Sequence, residues 1–252
     1  MRTTIERFDE SARRRVGAIG RTTIYQDELL RHPLYTRLLH WGVAVFFILA
    51  LLSGFALYTP WLFHAVTPLF GSGAMTRELH PWFSLGFVLV FLLQVFNWLA
   101  PMRWTRADSR WMRHFRAYVS NTEMLEPEDV GFFNAGQKLY FWAIVGSAIV
   151  FLISGIPMWF PEVFGRHAVM VGYVLHDVAA LVMLGGFIVH LYESTAQQPG
   201  TFHSMTRGTV SRRWAWTHHP GWYREATGRN PRADYERARQ DREERARANP
   251  EH

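Results

Sequence analysis

The stretch VLHDVAALVMLGGFIVHLYE, residues 174–193, is apolar enough to lie in hydrocarbon, yet it carries His176, Asp177, His190 and Glu193. Ionisable groups inside a membrane-length helix are costly and are kept mainly where they do chemistry. The two histidines are 14 residues apart. At about 100° per residue they fall within about 40° of one helix face, roughly 21 Å apart along the axis.

Three further runs match this one in length. LLHWGVAVFFILALLSGFALY (38–58), HPWFSLGFVLVFLLQVFNWLA (80–100) and KLYFWAIVGSAIVFLISGIPMWF (138–160) join AVMVGYVLHDVAALVMLGGFIVHLY (168–192). Each reaches the roughly 20 residues that a bilayer crossing needs. Mean hydropathy over the whole chain is near zero because apolar and polar residues are segregated. The expected fold is an all-α integral membrane protein, a four-transmembrane-helix bundle over 38–195. A polar N-terminal arm (1–37) precedes it and a polar tail (196–252) follows.

The chain has no cysteine, which excludes disulfides, thiolate-bound iron–sulfur clusters and c-type haem attachment. Lys and Arg total 27, with Lys138 the single lysine, against 21 acids. The basic residues lie beside the apolar runs, so the positive-inside rule accounts for them without nucleic acid. Eight Arg precede the first run, and Arg103, Arg106, Arg110, Arg113 and Arg116 lie between the second and third. Arg207, Arg212, Arg213 and others follow the fourth, whereas the other two loops hold only Arg77 and Arg166. Both termini and the middle loop are therefore expected in the cytoplasm. The arm contains no apolar stretch of signal-peptide type.

Trp41, Tyr58, Trp61, Trp98, Trp104, Tyr140, Trp159 and Tyr192 mark the expected interfaces. The loop 59–79 is expected to carry a short interfacial helix. A helix is predicted over Ser109–Ser120, followed by the acidic turn EPEDVG (126–131). Beyond Asp234 the mixed-charge tail reads as a solvated helix or as disorder.

Four histidines belong to the apolar runs: His40, His80, His176 and His190. With the orientation above, they sort into an inner layer, His40/His190, and an outer layer, His80/His176. Each layer joins the fourth helix to a different partner. Two stacked bis-histidine sites in a four-helix bundle can hold two b-type haems. Zinc would want further ligands that neither layer supplies. A proton relay through Asp177 and Glu193 is the rival reading. Gly54, Gly185 and Gly186 fit either clearance for a macrocycle or ordinary small-residue packing.

LLHW (38–41), RELHPWFS (77–84), VGFFNAGQK (130–138), LISG (152–155), VLHDVAAL, VHLY and GTVSRRWAWTHHPGWYRE (208–225) together resemble a known family. It is the cytochrome b (gamma) subunit of respiratory, membrane-bound formate dehydrogenase, and the resemblance covers about 34–228. It implies two b haems, the inner on His40 and His190, the outer on His80 and His176. It also implies a quinone pocket at Asn134, Gly136, Gln137 and His190, taking ubiquinone or menaquinone. An amide can donate to a quinone carbonyl. Read without the family, Asn134 is a helix cap before the third span. Asp177 departs from the small apolar residue expected there, and Glu193 is a candidate for proton transfer. The implied partners are an iron–sulfur (beta) subunit, a molybdenum or tungsten catalytic (alpha) subunit and membrane lipids, in a complex that can assemble into a higher oligomer. The implied place is the bacterial inner membrane. A cytochrome b subunit for another donor, such as nickel–iron hydrogenase or thiosulfate reductase, and a haem-free anchor or proton relay are the alternatives. His218 and His219 of the tail, with its many Arg, are candidates for binding metal or anionic lipid, but docking of the iron–sulfur subunit fits the resemblance better.

Overall fold

The computed structural model describes residues 28–113, 115–116, 120 and 126–248, which divide into two compact units. One, comprising 34–100 and 140–192, carries the spans. Its first helix, α1 (Leu34–Tyr58), is followed by α2 (Pro60–Val66), a 3₁₀ turn over Thr67–Phe70, and α3 (Gly73–Trp98). The short helix expected in the 59–79 loop is thus present. Helix α4 (Arg106–Arg113) belongs to the other unit, α5 is Ala135–Trp159, and α6 is Pro161–Tyr192.

Helix ends fall where local chemistry sets them. Ser72 caps α3 by accepting the Met75 N–H at 3.1 Å, so the helix starts before His80 rather than at it. Helix α6 breaks at Gly165, whose φ of 73° suits only glycine, and its unbroken part matches the run predicted over 168–192. At most 28% of any span's apolar window is buried within the chain. The remaining apolar surface needs lipid, and the chain is a multi-pass membrane protein.

Helices α1 and α3 pair antiparallel through small residues. A Cβ on Gly42 would lie 3.1 Å from Val90, one on Gly86 2.5 Å from Phe46, and one on Gly54 3.1 Å from His80. Asn97 closes the same pair by donating to the Thr36 hydroxyl at 3.2 Å. On the other side of the bundle, Gly172 lies against the Ser154 carbonyl, and Gly186 lies against Tyr140 and Ile144. Close backbone approach of this kind takes the place of hydrophobic driving force between helices in lipid. Phe87, Phe91, Ile144, Ala148 and Met183 form the bundle core.

The described residues of the second unit fall within 28–33, 101–139 and 193–248, so three segments far apart in the chain fold together. Strand β1 (Glu28–Leu30) pairs antiparallel with β2 (Thr209–Ser211), Leu29 opposite Val210. After α6 come a π-helical turn (Glu193–Gln197), α7 (His203–Thr206), β2, α8 (Arg212–His218), α9 (Pro220–Thr227) and α10 (Pro231–Ala248). Leu29, Val210, Trp214, Ala215, Trp222, Tyr223 and Ala226 make its core. The mixed-charge tail is a solvated helix, anchored by Asp234. Arg229 grips both Asp234 oxygens (2.8 and 2.6 Å), and the Tyr223 hydroxyl donates at 2.6 Å. The Arg229 hydrogen bonds hold the Asp234 carboxyl down at about 2.

The helix predicted over Ser109–Ser120 begins earlier, at Arg106, and is described as far as Arg113; part of the predicted range lies outside the described residues. The acidic turn is present, closed by the Val130 N–H donating to the Pro127 carbonyl at 2.9 Å. Within it, burial pushes the Glu126 carboxyl up from its ordinary 4.5 to about 8, partly opposed by a hydrogen bond with Trp111. The folded state therefore binds the proton more tightly than the unfolded state. That contribution is complete below about 4.5 and is lost as pH rises to about 8, at on the order of 1 kcal/mol per pH unit. Glu126→Gln is expected to flatten the fall of melting temperature between pH 5 and 8, read by thermal denaturation in detergent.

Candidate functional site

All four histidines singled out from sequence lie in the span-bearing unit, and the structure brings them together in two pairs. The His40 ring, on α1, has its centroid 6.1 Å from that of His190 on α6. The His80 ring, on α3, lies 6.2 Å from that of His176 on α6. Two imidazoles sharing one iron, with metal–nitrogen bonds of about 2 Å, place their centroids about 6 Å apart. Both pairs already hold that spacing. Among the described residues no group of three or more His, Cys, Asp or Glu is arranged so that it could hold a metal ion. Each pair thus offers two neutral nitrogen ligands and nothing more, which suits an iron whose other four ligands come from a porphyrin.

A feature missed in the sequence fixes the His80/His176 pair. Ser53 Oγ donates to the Leu49 carbonyl at 2.7 Å and lies 2.9 Å from His80 Nδ1. Ser154 Oγ donates to the Val150 carbonyl at 2.7 Å and lies 3.1 Å from His176 Nδ1. A hydroxyl that has spent its proton on its own helix can only accept from the imidazole. Nδ1 therefore carries the hydrogen, and Nε2 keeps its lone pair for a metal. Beside each serine is a glycine that leaves room for the ring: a Cβ on Gly54 would sit 3.1 Å from His80 Cε1, and one on Gly155 3.8 Å from His176 Cε1. The sequence signal was present twice, as LLSG (51–54) and LISG (152–155), on α1 and α5. Gly54 thus clears the His80 ring itself, while Gly186 packs on Tyr140 and a Cβ on Gly185 would meet nothing within 4 Å.

The His40/His190 pair is framed differently. Tyr140 stacks on His190 with centroids 5.1 Å apart and planes 4° apart, and Trp41 packs edge-on against His40. Between the two pairs lie Phe47, Phe87 and Met183, each seven residues from a histidine on its helix. Phe47 and Phe87 have centroids 6.1 Å apart. Removing the acceptor hydroxyl by Ser53→Ala or Ser154→Ala is expected to loosen a haem on that level by roughly 10–100-fold. Haem transfer to apomyoglobin, with the other level as internal control, measures it.

A family model described as prokaryotic cytochrome b561 matches residues 31–208. The chain belongs to that family. It is a membrane-bound, electron-transferring cytochrome that binds haem b. It is similar to the cytochrome b556(Fdn) subunit of the nitrate-inducible formate dehydrogenase of Escherichia coli K12, at 31% identity over 78% of this chain and 91% of that subunit. The cytochrome b556(fdo) subunit of formate dehydrogenase from the same strain is 32% identical over 79% of this chain and 94% of its own length. The corresponding subunit of Haemophilus influenzae is 28% identical over 78% and 83%.

In this family member, Asn134, Gly136 and Gln137 lie in the second unit, at the start of α5. The Asn134 N–H donates to Gln137 Oε1 at 3.1 Å, and the Gln137 N–H donates to Asn134 Oδ1 at 2.9 Å. This reciprocal capping box realises the helix-cap reading of Asn134. It occupies both amide oxygens in these contacts and leaves both NH₂ groups as donors. A Cβ on Gly136 would lie 3.2 Å from the Trp111 ring. Glu193 opens the π-helical turn, and Gln198 Nε2 donates to its Oε2 at 3.3 Å.

The tail motif SRRW…HHPGWYRE contributes to the core of the second unit. His219 is fully buried, with Nδ1 2.8 Å from the Gly131 carbonyl and Nε2 3.2 Å from Arg31 NH2. Nδ1–H therefore donates to Gly131, and Nε2 accepts from Arg31. Burial, reinforced by the Arg31 charge, holds the imidazole neutral, its pKa well below the usual value. Both nitrogens being used, His219 has none left for a metal. Arg31 lies over the rings of Phe132, Trp214 and Trp222 at 4.2–4.9 Å, a cation–π cage. Gly221 and Trp222 donate to the Val130 carbonyl at 2.9 and 3.2 Å, and a Cβ at Gly221 would come within 2.7 Å of that oxygen. The VGFF run and the HHPGW run therefore form one packed element.

Proposed function

We propose that this chain is the dihaem cytochrome b subunit of a quinone-reducing formate dehydrogenase complex. The observation that carries the reading is the presence of two imidazole pairs, 6.1 and 6.2 Å apart, on separate levels of one bundle. The names of the relatives, which are subunits of formate dehydrogenases, support formate as the donor.

His80 and His176 hold one haem b, and His40 and His190 the other. Bound there, haem supplies reversible one-electron transfer. Ser53 and Ser154 orient the first pair, Tyr140 stacks behind the second, and Phe47, Phe87 and Met183 keep water from the space between. For the quinone, the NH₂ groups that the capping box leaves on Asn134 and Gln137 are the hydrogen-bond donors, Gly136 keeps the helix start slim, and His190 completes the set. Glu193 supplies protons. The arginine distribution puts both termini and the middle loop in the cytoplasm of a bacterium, with residues 38–195 in its inner membrane. Electrons then enter at His80/His176 from an iron–sulfur subunit served by a molybdenum or tungsten subunit, and leave at His40/His190 to ubiquinone or menaquinone.

The test is a reduced-minus-oxidised spectrum with haem quantitation on the purified complex, before and after formate. Two haems per chain that formate reduces are expected. Two haems that stay oxidised with formate would keep the wire and reassign its donor, for instance to a hydrogenase. No haem would return the histidines to a relay or an anchor.

A further inference from the structure

Among the described residues of the span-bearing unit, His40 is buried without a hydrogen-bond partner at Nδ1, and Gln94 at both carboxamide atoms. Gln94 is 4% exposed and lies on α3 in an otherwise apolar stretch. It is 14 residues beyond His80, hence within about 40° of the same face and about 21 Å along the axis. Phe87 and Phe91, also buried on α3, lie along that face. An unpartnered amide in such a place costs more than the leucine or methionine that would fill it.

The pairing of α1 with α3 says what stands opposite. Ser53 and Gly54 meet His80, Gly42 meets Val90, and Thr36 meets Asn97. Continuing that antiparallel register from Val90 toward Asn97 sets Gln94 level with Leu38 and Leu39, less than one helical turn from His40. The two levels are then related by an approximate exchange of helices. On one, a histidine of α3 gives its Nδ1–H to an acceptor on α1, Ser53, 13 residues after His40. On the other, a histidine of α1 and Gln94 on α3 are both buried with polar atoms unpartnered, less than a turn apart in that register.

We infer that Gln94 is the positioning residue of the His40/His190 level: its carboxamide oxygen accepts the Nδ1–H of His40 and so turns Nε2 toward the iron. The inference rests on the two-haem reading above. An amide acceptor on Nδ1 raises the basicity of the ligand nitrogen. That favours ferric over ferrous iron and lowers the reduction potential of that haem alone.

The experiment is haem quantitation and a potentiometric titration of the purified complex, wild type against Gln94→Leu and Gln94→Glu, with low-spin ferric EPR spectra of each. Ser53→Ala, which acts on the other level, identifies which transition belongs to which pair. The expected result is two haems in wild type and in both variants. The His40/His190 midpoint moves up in Gln94→Leu and down in Gln94→Glu, while the other stays in place. Loss of that one haem in Gln94→Leu with retention and a lowered midpoint in Gln94→Glu supports the same role. Two haems with an unmoved midpoint in Gln94→Glu overturn the inference and leave the proposed function standing. A wild-type protein with fewer than two haems removes the two-haem reading and this inference with it.

Discussion

Replacing His176 with leucine is expected to halve the haem content, from two per chain to one, while the bundle still folds. The two effects separate because of where the side chain sits. On the proposed reading its imidazole is one of two ligands on its level, 6.2 Å from the His80 ring, and among the described residues no group of three or more His, Cys, Asp or Glu that could hold a metal ion includes it. The fold tolerates the change because leucine in hydrocarbon costs nothing comparable to a polar group. Ser154 is not stranded either, since its hydroxyl already donates to the Val150 carbonyl. With the entry level emptied, formate-driven quinone reduction is expected to fall by more than the roughly 10–100-fold that loss of a supporting hydrogen bond costs. Haem quantitation together with rapid-mixing reduction by formate measures both. Two haems at wild-type stoichiometry in His176→Leu would show that the pair is not a ligand set.

The second large effect is on stability. Lys138→Met is expected to destabilise the protein by about 3–5 kcal/mol, roughly 10 °C or more in melting temperature for a chain of this size. Lys138 Nζ lies 2.7 Å from Asp108 Oδ2, with the two side chains 6% and 3% exposed, and also donates to the Arg103 carbonyl at 3.0 Å. Without the lysine, Asp108 keeps only the Thr105 N–H and hydroxyl, at 2.6 and 2.7 Å, to offset a buried negative charge. Removing the carboxylate as well, in Lys138→Met with Asp108→Leu, is expected to recover most of the loss, because the penalty is the orphaned charge rather than the pair. Thermal melts of the two single variants and the double variant in detergent complete the cycle. A double variant no more stable than Lys138→Met alone would place the cost in lost packing.

The spans and the four histidines were legible in the chain because each is written in a local period. Apolar runs of membrane length need no knowledge of neighbours, and a spacing of 14 residues on one helix defines two levels by itself. The supports of those histidines were not legible in the same way. Ser53 and Ser154 look like small residues of a membrane helix until the helix opposite brings a ring to each, although the repeated L-x-S-G step was there to be read. Gln94 looked like one polar residue in an apolar run. Asn134 and Gln137 proved to be a capping box, which a three-residue spacing announces. In the tail motif, His219 proved to be packed against Arg31 with both ring nitrogens engaged.

The membrane class, the four apolar helices of crossing length and the two-level placement of the imidazoles could be read from single segments, since hydrophobic length and helical period are local properties. Which nitrogen of His80 and His176 is free, and the joining of residues 28–33, the middle loop and the segment after 193 in one unit, depended on the folded arrangement. Hydrogen-bond partners and buried charge pairs join residues far apart in the chain, from 22 residues between Ser154 and His176 to 188 between Arg31 and His219. No local pattern encodes who meets whom across such distances.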